Sequence, residues 1–133
     1  QDDDGSVVLP ASEARLHGET IKYETGHERD NLGFWTDPAD WADWTVEVTR
    51  PGRFNVTGEI ASFDKASLEV SAGDSHTSGT VPVTGDYGKF KVAKLGVLEI
   101  AAPGKVTIAV RPVKDGWHAI NLKAIRLKPA AAR

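Results

Sequence analysis

Apolar and polar residues alternate with a period of two over most of the chain. Trp44, Val46 and Val48 interleave with Thr45, Glu47 and Thr49. Beyond Arg50-Pro51-Gly52, the residues Phe54, Val56, Gly58 and Ile60 interleave with Asn55, Thr57 and Glu59. Successive side chains of a strand point to opposite faces, so each run buries one face, and the short turn between them predicts a hairpin. The pattern recurs at Leu68/Val70/Ala72 and at Val106/Ile108/Val110, the latter entered through a turn at Ala102-Pro103-Gly104-Lys105. In the last run Ile120, Leu122 and Ala124 are in phase, and the phase then slips to Ile125 and Leu127, which predicts a bulge near Ala124. Asp37-Pro38 has the form of a helix N-cap followed by Pro, so a brief helical turn is expected over residues 37–42. Short strands at this spacing, with 13 Gly and 7 Pro, predict an all-β fold: an antiparallel β-sandwich of the jelly-roll kind.

Composition narrows the partners. At 133 residues the chain suits one domain that buries a core without staples. Residues 1–6 read as a flexible N-terminal arm, 7–128 as the sandwich, and 129–133 as a tail or linker. The net charge is -3 and no basic stripe runs among the aromatics, so nucleic acid is not an expected partner. No run reaches the roughly 18 apolar residues of a membrane helix. With no Cys there are neither disulfides nor thiolate metal sites, and with no Met the chain reads as a processed mature protein or an excised domain.

The aromatics beside turns carry the candidate chemistry. Phe34 and Trp35 lie between Asn31-Leu32-Gly33 and Thr36-Asp37-Pro38, at a loop or strand end. A flat ring there suits the apolar C–H face of a sugar and leaves the hydroxyls to polar groups. The plainer alternative is that one ring enters the core and the other caps it. Trp44 is in phase with Val46 and Val48 and belongs to the core, and Trp41 reads as an anchor for the preceding loop. Tyr87, flanked by glycines in Thr84-Gly85-Asp86-Tyr87-Gly88, is either a stacking ring or an ordinary loop tyrosine. Trp117 and His118 follow Asp115-Gly116. They are either a wall and a donor of the same cleft or a core cover and a solvated imidazole. Asn121 is out of phase with Ile120 and Leu122, so its amide faces away from the core and suits a vicinal diol.

Catalytic patterns are not evident. The four histidines (His17, His27, His76 and His118) form no HExxH or other metal-binding pair, and the sequence holds no GxSxG, GxGxxG or P-loop motif. Nineteen acidic residues make some close carboxylate pair unavoidable, but none stands out as a glycosidase dyad. Asp2-Asp3-Asp4-Gly5 lacks the alternate spacing of a calcium loop.

Three stretches together resemble the family 6 type of carbohydrate-binding module, a galactose-binding-like jelly roll. Residues 31–46 are similar to that family's N-x-G-x-x-x-x-x-x-D-W-x-x-W/Y-x-V, residues 84–90 (TGDYGKF) to its T-G-G-W-x-x-W, and residues 121–127 (NLKAIRL) to its N-L-x-x-I-x-L. The resemblance implies a loop-built cleft in which a sugar ring sits between two aromatics. Phe34 or Trp35 would form one face and Tyr87 the other, with Asn121 as the polar anchor. Trp35→Ala or Tyr87→Ala would then abolish binding without unfolding the domain. The family also holds a structural calcium through an opening acidic pair and an Asp or Asn two residues after the terminal Asn. Here Lys123 stands at that later position and Glu13 is the nearest opening acid, so no cofactor is expected. Leu9-Pro10-Ala11, Leu16-His17-Gly18 and Ile21-Lys22-Tyr23-Glu24 more loosely resemble accessory domains of secreted bacterial α-L-fucosidase-like enzymes and sulfatases.

The expected function is therefore non-catalytic: a secreted or periplasmic module that holds an attached enzyme near polysaccharide. The alternative expectation is a structural domain that packs against a neighbouring catalytic domain and takes no sugar.

Overall fold

The structure, a computed structural model, describes residues 1–26 and 29–130, with Arg29 described by its backbone alone. His27 and residues 131–133 lie outside the described residues. The strands are β1 (Val7–Pro10), β2 (Arg15–His17), β3 (Lys22–Gly26), β4 (Arg29–Gly33), β5 (Trp41–Val48), β6 (Gly52–Ser62), β7 (Ala66–Ala72), β8 (Ser75–Val81), β9 (Lys91–Ile100), β10 (Gly104–Pro112) and β11 (Ile120–Pro129). One sheet runs β3-β4-β11-β6-β9, with β1 beside β4 on the same edge of β11. The other runs β2-β5-β10-β7-β8. Every strand pairing is antiparallel, and the two sheets enclose a core that includes Leu32, Trp35, Trp44, Phe54, Ile60, Leu95, Ile108, Leu122 and Ile125. The antiparallel sandwich read from the alternation is the architecture observed.

The hairpin expected around Arg50-Pro51-Gly52 does not form. β5 pairs with β10, β6 pairs with β11 and β9, and the turn carries the chain from one sheet to the other. Gly52 makes the crossing at a φ of 140°, a backbone conformation that other residues rarely adopt. The register of β11 on β6 does shift between Leu122 and Ala124, as the phase slip predicted. The helical turn expected over residues 37–42 is absent. Asp37 instead closes a tight turn, its carboxylate accepting from Ala39 N–H at 2.9 Å and its carbonyl from Asp40 N–H at 3.0 Å, and Trp41 already begins β5. The expected arm is tied down at its first residue. The Gln1 amide donates to the carbonyls of Gly5 (2.8 Å) and Arg50 (3.0 Å) and accepts from the N–H groups of Thr49 and Arg50, both at 2.9 Å.

At one edge of the sandwich β8 presses directly on β9. A Cβ at Gly79 would stand 2.9 Å from both the Leu95 Cα and the Lys94 carbonyl oxygen, and backbone cannot swing aside as a side chain can. Gly79→Ala is expected to cost about 1–3 kcal/mol in urea unfolding by forcing the sheets apart. A loss of only a few tenths would show that β8 can leave β9 freely.

Candidate functional site

The middle of β3, the end of β4, the start of β11 and two loops converge at one end of the sandwich. Together they surround a cleft of about 730 Å³ lined by Glu24, Asn31, Phe34, Thr36, Tyr87, Gly88, Phe90, Ala119, Asn121 and Lys123. The volume is that of a small-ligand pocket.

Its floor follows from strand pairing. Asn31 lies opposite Glu24 in the β3–β4 ladder and is almost fully buried; its amide donates to the Glu24 carboxylate at 3.0 Å. Glu24 is thereby held over Gly33. A Cβ there would fall 2.1 Å from Glu24 Oε1 and 3.1 Å from Asn121 Oδ1, so only glycine leaves both polar side chains in place. Asn121 faces the cleft, and its Nδ2 donates to the Tyr87 carbonyl at 3.2 Å. Two residues on, Lys123 places its ammonium 4.8 Å from the centroid of the Phe90 ring.

One wall is Phe34. Among the described residues it is the only non-glycine with positive φ, at 53°, and the residue is 61% exposed. A left-handed backbone at a bulky residue costs roughly 1–3 kcal/mol. The exposed ring recovers little of that by burial. The conformation has a clear consequence, however: it turns Phe34 outward and sends Trp35 inward. Tyr87 lines the same cleft. Its loop is pinned by Ser62 at the end of β6, whose carbonyl accepts from Thr84 N–H at 2.9 Å and Gly85 N–H at 3.0 Å. The Thr84 hydroxyl accepts from Ser62 N–H at 3.1 Å, and Gly88 N–H is fastened to the Asp86 carboxylate at 2.6 Å.

Of the six residues singled out by sequence, three meet here: Phe34, Tyr87 and Asn121. Trp35, expected as one face of the cleft or part of the core, is fully buried. Its indole N–H donates to the Asp40 carbonyl at 2.8 Å. Trp117 is half-buried behind it, at 5.5 Å between ring centroids, and donates to the Trp35 carbonyl at 2.8 Å. His118 lies elsewhere, with Nδ1 2.9 Å from the Lys65 carbonyl. The wall and donor envisaged for Trp117 and His118 are thus a core cover and a loop tie. Trp41 does not anchor a loop either. It stands on the outer face of β5, with His17 stacked 4.0 Å away and the Arg111 guanidinium 4.1 Å from its ring.

The sequence reading passed over Glu24, Asn31, Phe90 and Lys123 as cleft residues. Asn31 was visible only as the first letter of a motif, and Glu24 lies on another strand, seven residues earlier.

The donor set does not suit a structural cation beside Asn121. The side chain that would supply the second acid there is the ammonium of Lys123, and among the described residues no three His, Asp or Glu side chains converge on a common point. Glu24 is the one carboxylate among the described residues lining the cleft. The arrangement offers aromatic faces at the mouth and hydrogen-bonding groups of both kinds on the floor.

No protein-family profile matches the chain, and no curated protein matches it in sequence. Solved structures do match. A family 35 carbohydrate-binding module from Clostridium thermocellum superposes with a TM-score of 0.76 at 13% identity, over 94% of this chain and 98% of that one. The module CBM6cm-2 from Cellvibrio mixtus lichenase 5A, solved in complex with cellotriose, gives 0.73 at 16% identity, over 94% and 98%. The mosquito-larvicidal Cry4Aa toxin from Bacillus thuringiensis gives 0.75 at 14% identity, over 96% of this chain but 24% of that one. Likeness at such identities establishes architecture, not ligand. The chain has the β-sandwich fold found in family 6 and family 35 carbohydrate-binding modules.

Proposed function

We propose that the protein is a non-catalytic carbohydrate-binding module, secreted or periplasmic, that keeps an attached polysaccharide-degrading enzyme close to its substrate. The observation that carries this reading is Phe34, an exposed residue held in a costly backbone conformation on a cleft that it lines together with Tyr87, Glu24 and Asn121. Strain of this kind persists where surrounding structure imposes it, and it gathers at ligand sites. The two rings stack on the faces of a sugar, Asn121 and the Glu24 carboxylate take its hydroxyls, and affinity stays modest. A dissociation constant of roughly 10 µM to 1 mM corresponds to about -7 to -4 kcal/mol. Such a module raises the local concentration of its enzyme on polymer without new chemistry.

Amide NMR titration with fucose, galactose, xylose, glucose and their oligomers tests the reading. Saturable shifts are expected around Phe34, Tyr87 and Asn121. Phe34→Asn should weaken them at least about tenfold. Asn tolerates the left-handed conformation, so the same variant should unfold at an equal or higher urea concentration, by up to about 1 kcal/mol. Absence of saturable binding across the panel would sink the proposal.

A further inference from the structure

Phe63 lies one residue past the end of β6, is 51% exposed, and does not line the cleft. Phe63 is not among the buried residues of the core. Its neighbour is the Tyr87 ring, with centroids 4.7 Å apart and planes at 80°, an edge-to-face pair. Edge-to-face pairs are favourable because the positive edge of one ring meets the negative face of the other.

The surrounding bonds explain why this contact matters. The loop carrying Tyr87 is fastened through its backbone at Thr84, Gly85 and Gly88, and through the Tyr87 carbonyl to Asn121. Those bonds hold the main chain and leave the side-chain torsions open, on a residue flanked by Asp86 and Gly88. Phe63 is the ring that limits them, and it is positioned by the same Ser62 that pins the loop.

We infer that Phe63 is a positioning residue for ligand binding: its ring holds the Tyr87 ring in the orientation that forms the cleft wall, without touching the ligand. The inference rests on the carbohydrate-binding reading for its functional consequence, while its structural content stands apart from it. A side chain already ordered before binding loses less rotamer freedom on binding, and this is the contribution assigned to Phe63.

The test has a ligand-free arm and a ligand arm. In the unliganded protein, Tyr87 ring protons should show cross-relaxation to Phe63 and a ring-current shift, both lost in Phe63→Ala and largely kept in Phe63→Trp. With the monosaccharides fucose, galactose, xylose and glucose, and with cellotriose, Phe63→Ala should weaken whatever binding the wild type shows by about three- to tenfold, the usual cost of ordering one free side chain on binding. The loss should be equal for glucose and cellotriose where both bind, with only the small drop in urea midpoint that losing one surface aromatic pair brings, and with affinity regained in Phe63→Trp. Unchanged Tyr87 ring signals in Phe63→Ala would overturn the inference, as would a loss that grows with oligosaccharide length, since Phe63 would then touch sugar itself. If the wild type binds none of the probes, the carbohydrate reading fails, and the ring signals still decide whether Phe63 orders Tyr87.

Discussion

Trp35→Ala unfolds much of this domain's stability margin, whereas Phe34→Ala, one residue away, leaves it nearly untouched. Trp35 is fully buried, packs against Trp117, and uses both its indole N–H and its carbonyl in hydrogen bonds across the core. Truncating it removes the ring, opens a cavity and orphans the Asp40 carbonyl. The expected cost is about 3–5 kcal/mol. Against a typical total of about 5–15 kcal/mol, that brings the protein close to its limit. Phe34 has most of its ring in water and its truncation removes little burial. Urea unfolding followed by tryptophan fluorescence should therefore separate the pair by several kcal/mol, and sugar titration should show loss of binding in Phe34→Ala with the fold intact. The sequence-based expectation that Trp35→Ala spares the fold is reversed by this burial. Equal midpoints for the two variants would mean that the inward and outward assignments are wrong.

Asp40→Ala should be nearly as damaging, and it should reshape the acid limb of the stability profile. The Asp40 side chain is almost fully buried. It accepts from the N–H groups of Glu19 (3.2 Å), Thr20 (2.8 Å) and Ile21 (3.0 Å), and from the Thr20 hydroxyl. Gly18 leaves the room for it, since a Cβ there would meet Asp40 Oδ1 at 1.9 Å. Losing a carboxylate that satisfies this whole connection should cost about 2–4 kcal/mol. Burial alone would raise its pKa, but the bonds from Thr20, Ile21 and Glu19 together outweigh it and hold the carboxyl below its ordinary value. A group whose pKa is lowered by folding contributes stability above its unfolded value, about 3.9, and that contribution fades as pH falls through the folded one. The wild type should thus lose stability below about pH 4 more steeply than Asp40→Asn, which has no proton to gain there. Parallel profiles for the two proteins between pH 5 and pH 2 would show that Asp40 is not the group responsible.

The residues of the Asn31–Val46 pattern show how much of the site was legible. The pattern reads as a binding signature, yet most of its letters build the scaffold. Asn31 holds Glu24, Gly33 clears space beneath it, Asp40 ties the loop of residues 19–21, and Trp44 donates to the Pro10 carbonyl at 2.7 Å. The ring that does face the cleft, Phe34, occupies one of the pattern's unspecified positions. Phe63 carried no local signal, because nothing near it in the chain shows what it meets; Lys123 was legible only as the residue two positions after Asn121, and its neighbour Phe90 lies far earlier in the chain.

Alternation by itself determined which face of each strand is buried, because the pleat repeats every two residues whatever the neighbouring strand is. It likewise located the bulge in β11, where Leu122 and Ile125 must both reach the core. Partner choice was decided only in three dimensions. β5 and β6 are joined by a short turn and yet lie in different sheets, since an inward face is equally satisfied by either sheet of a sandwich. Tertiary structure also decided between Phe34 and Trp35. Adjacent residues must part to opposite sides, but which one turns inward depends on the Asp40 carbonyl and the Trp117 ring waiting in the core, and Trp117 lies 82 positions further along the chain.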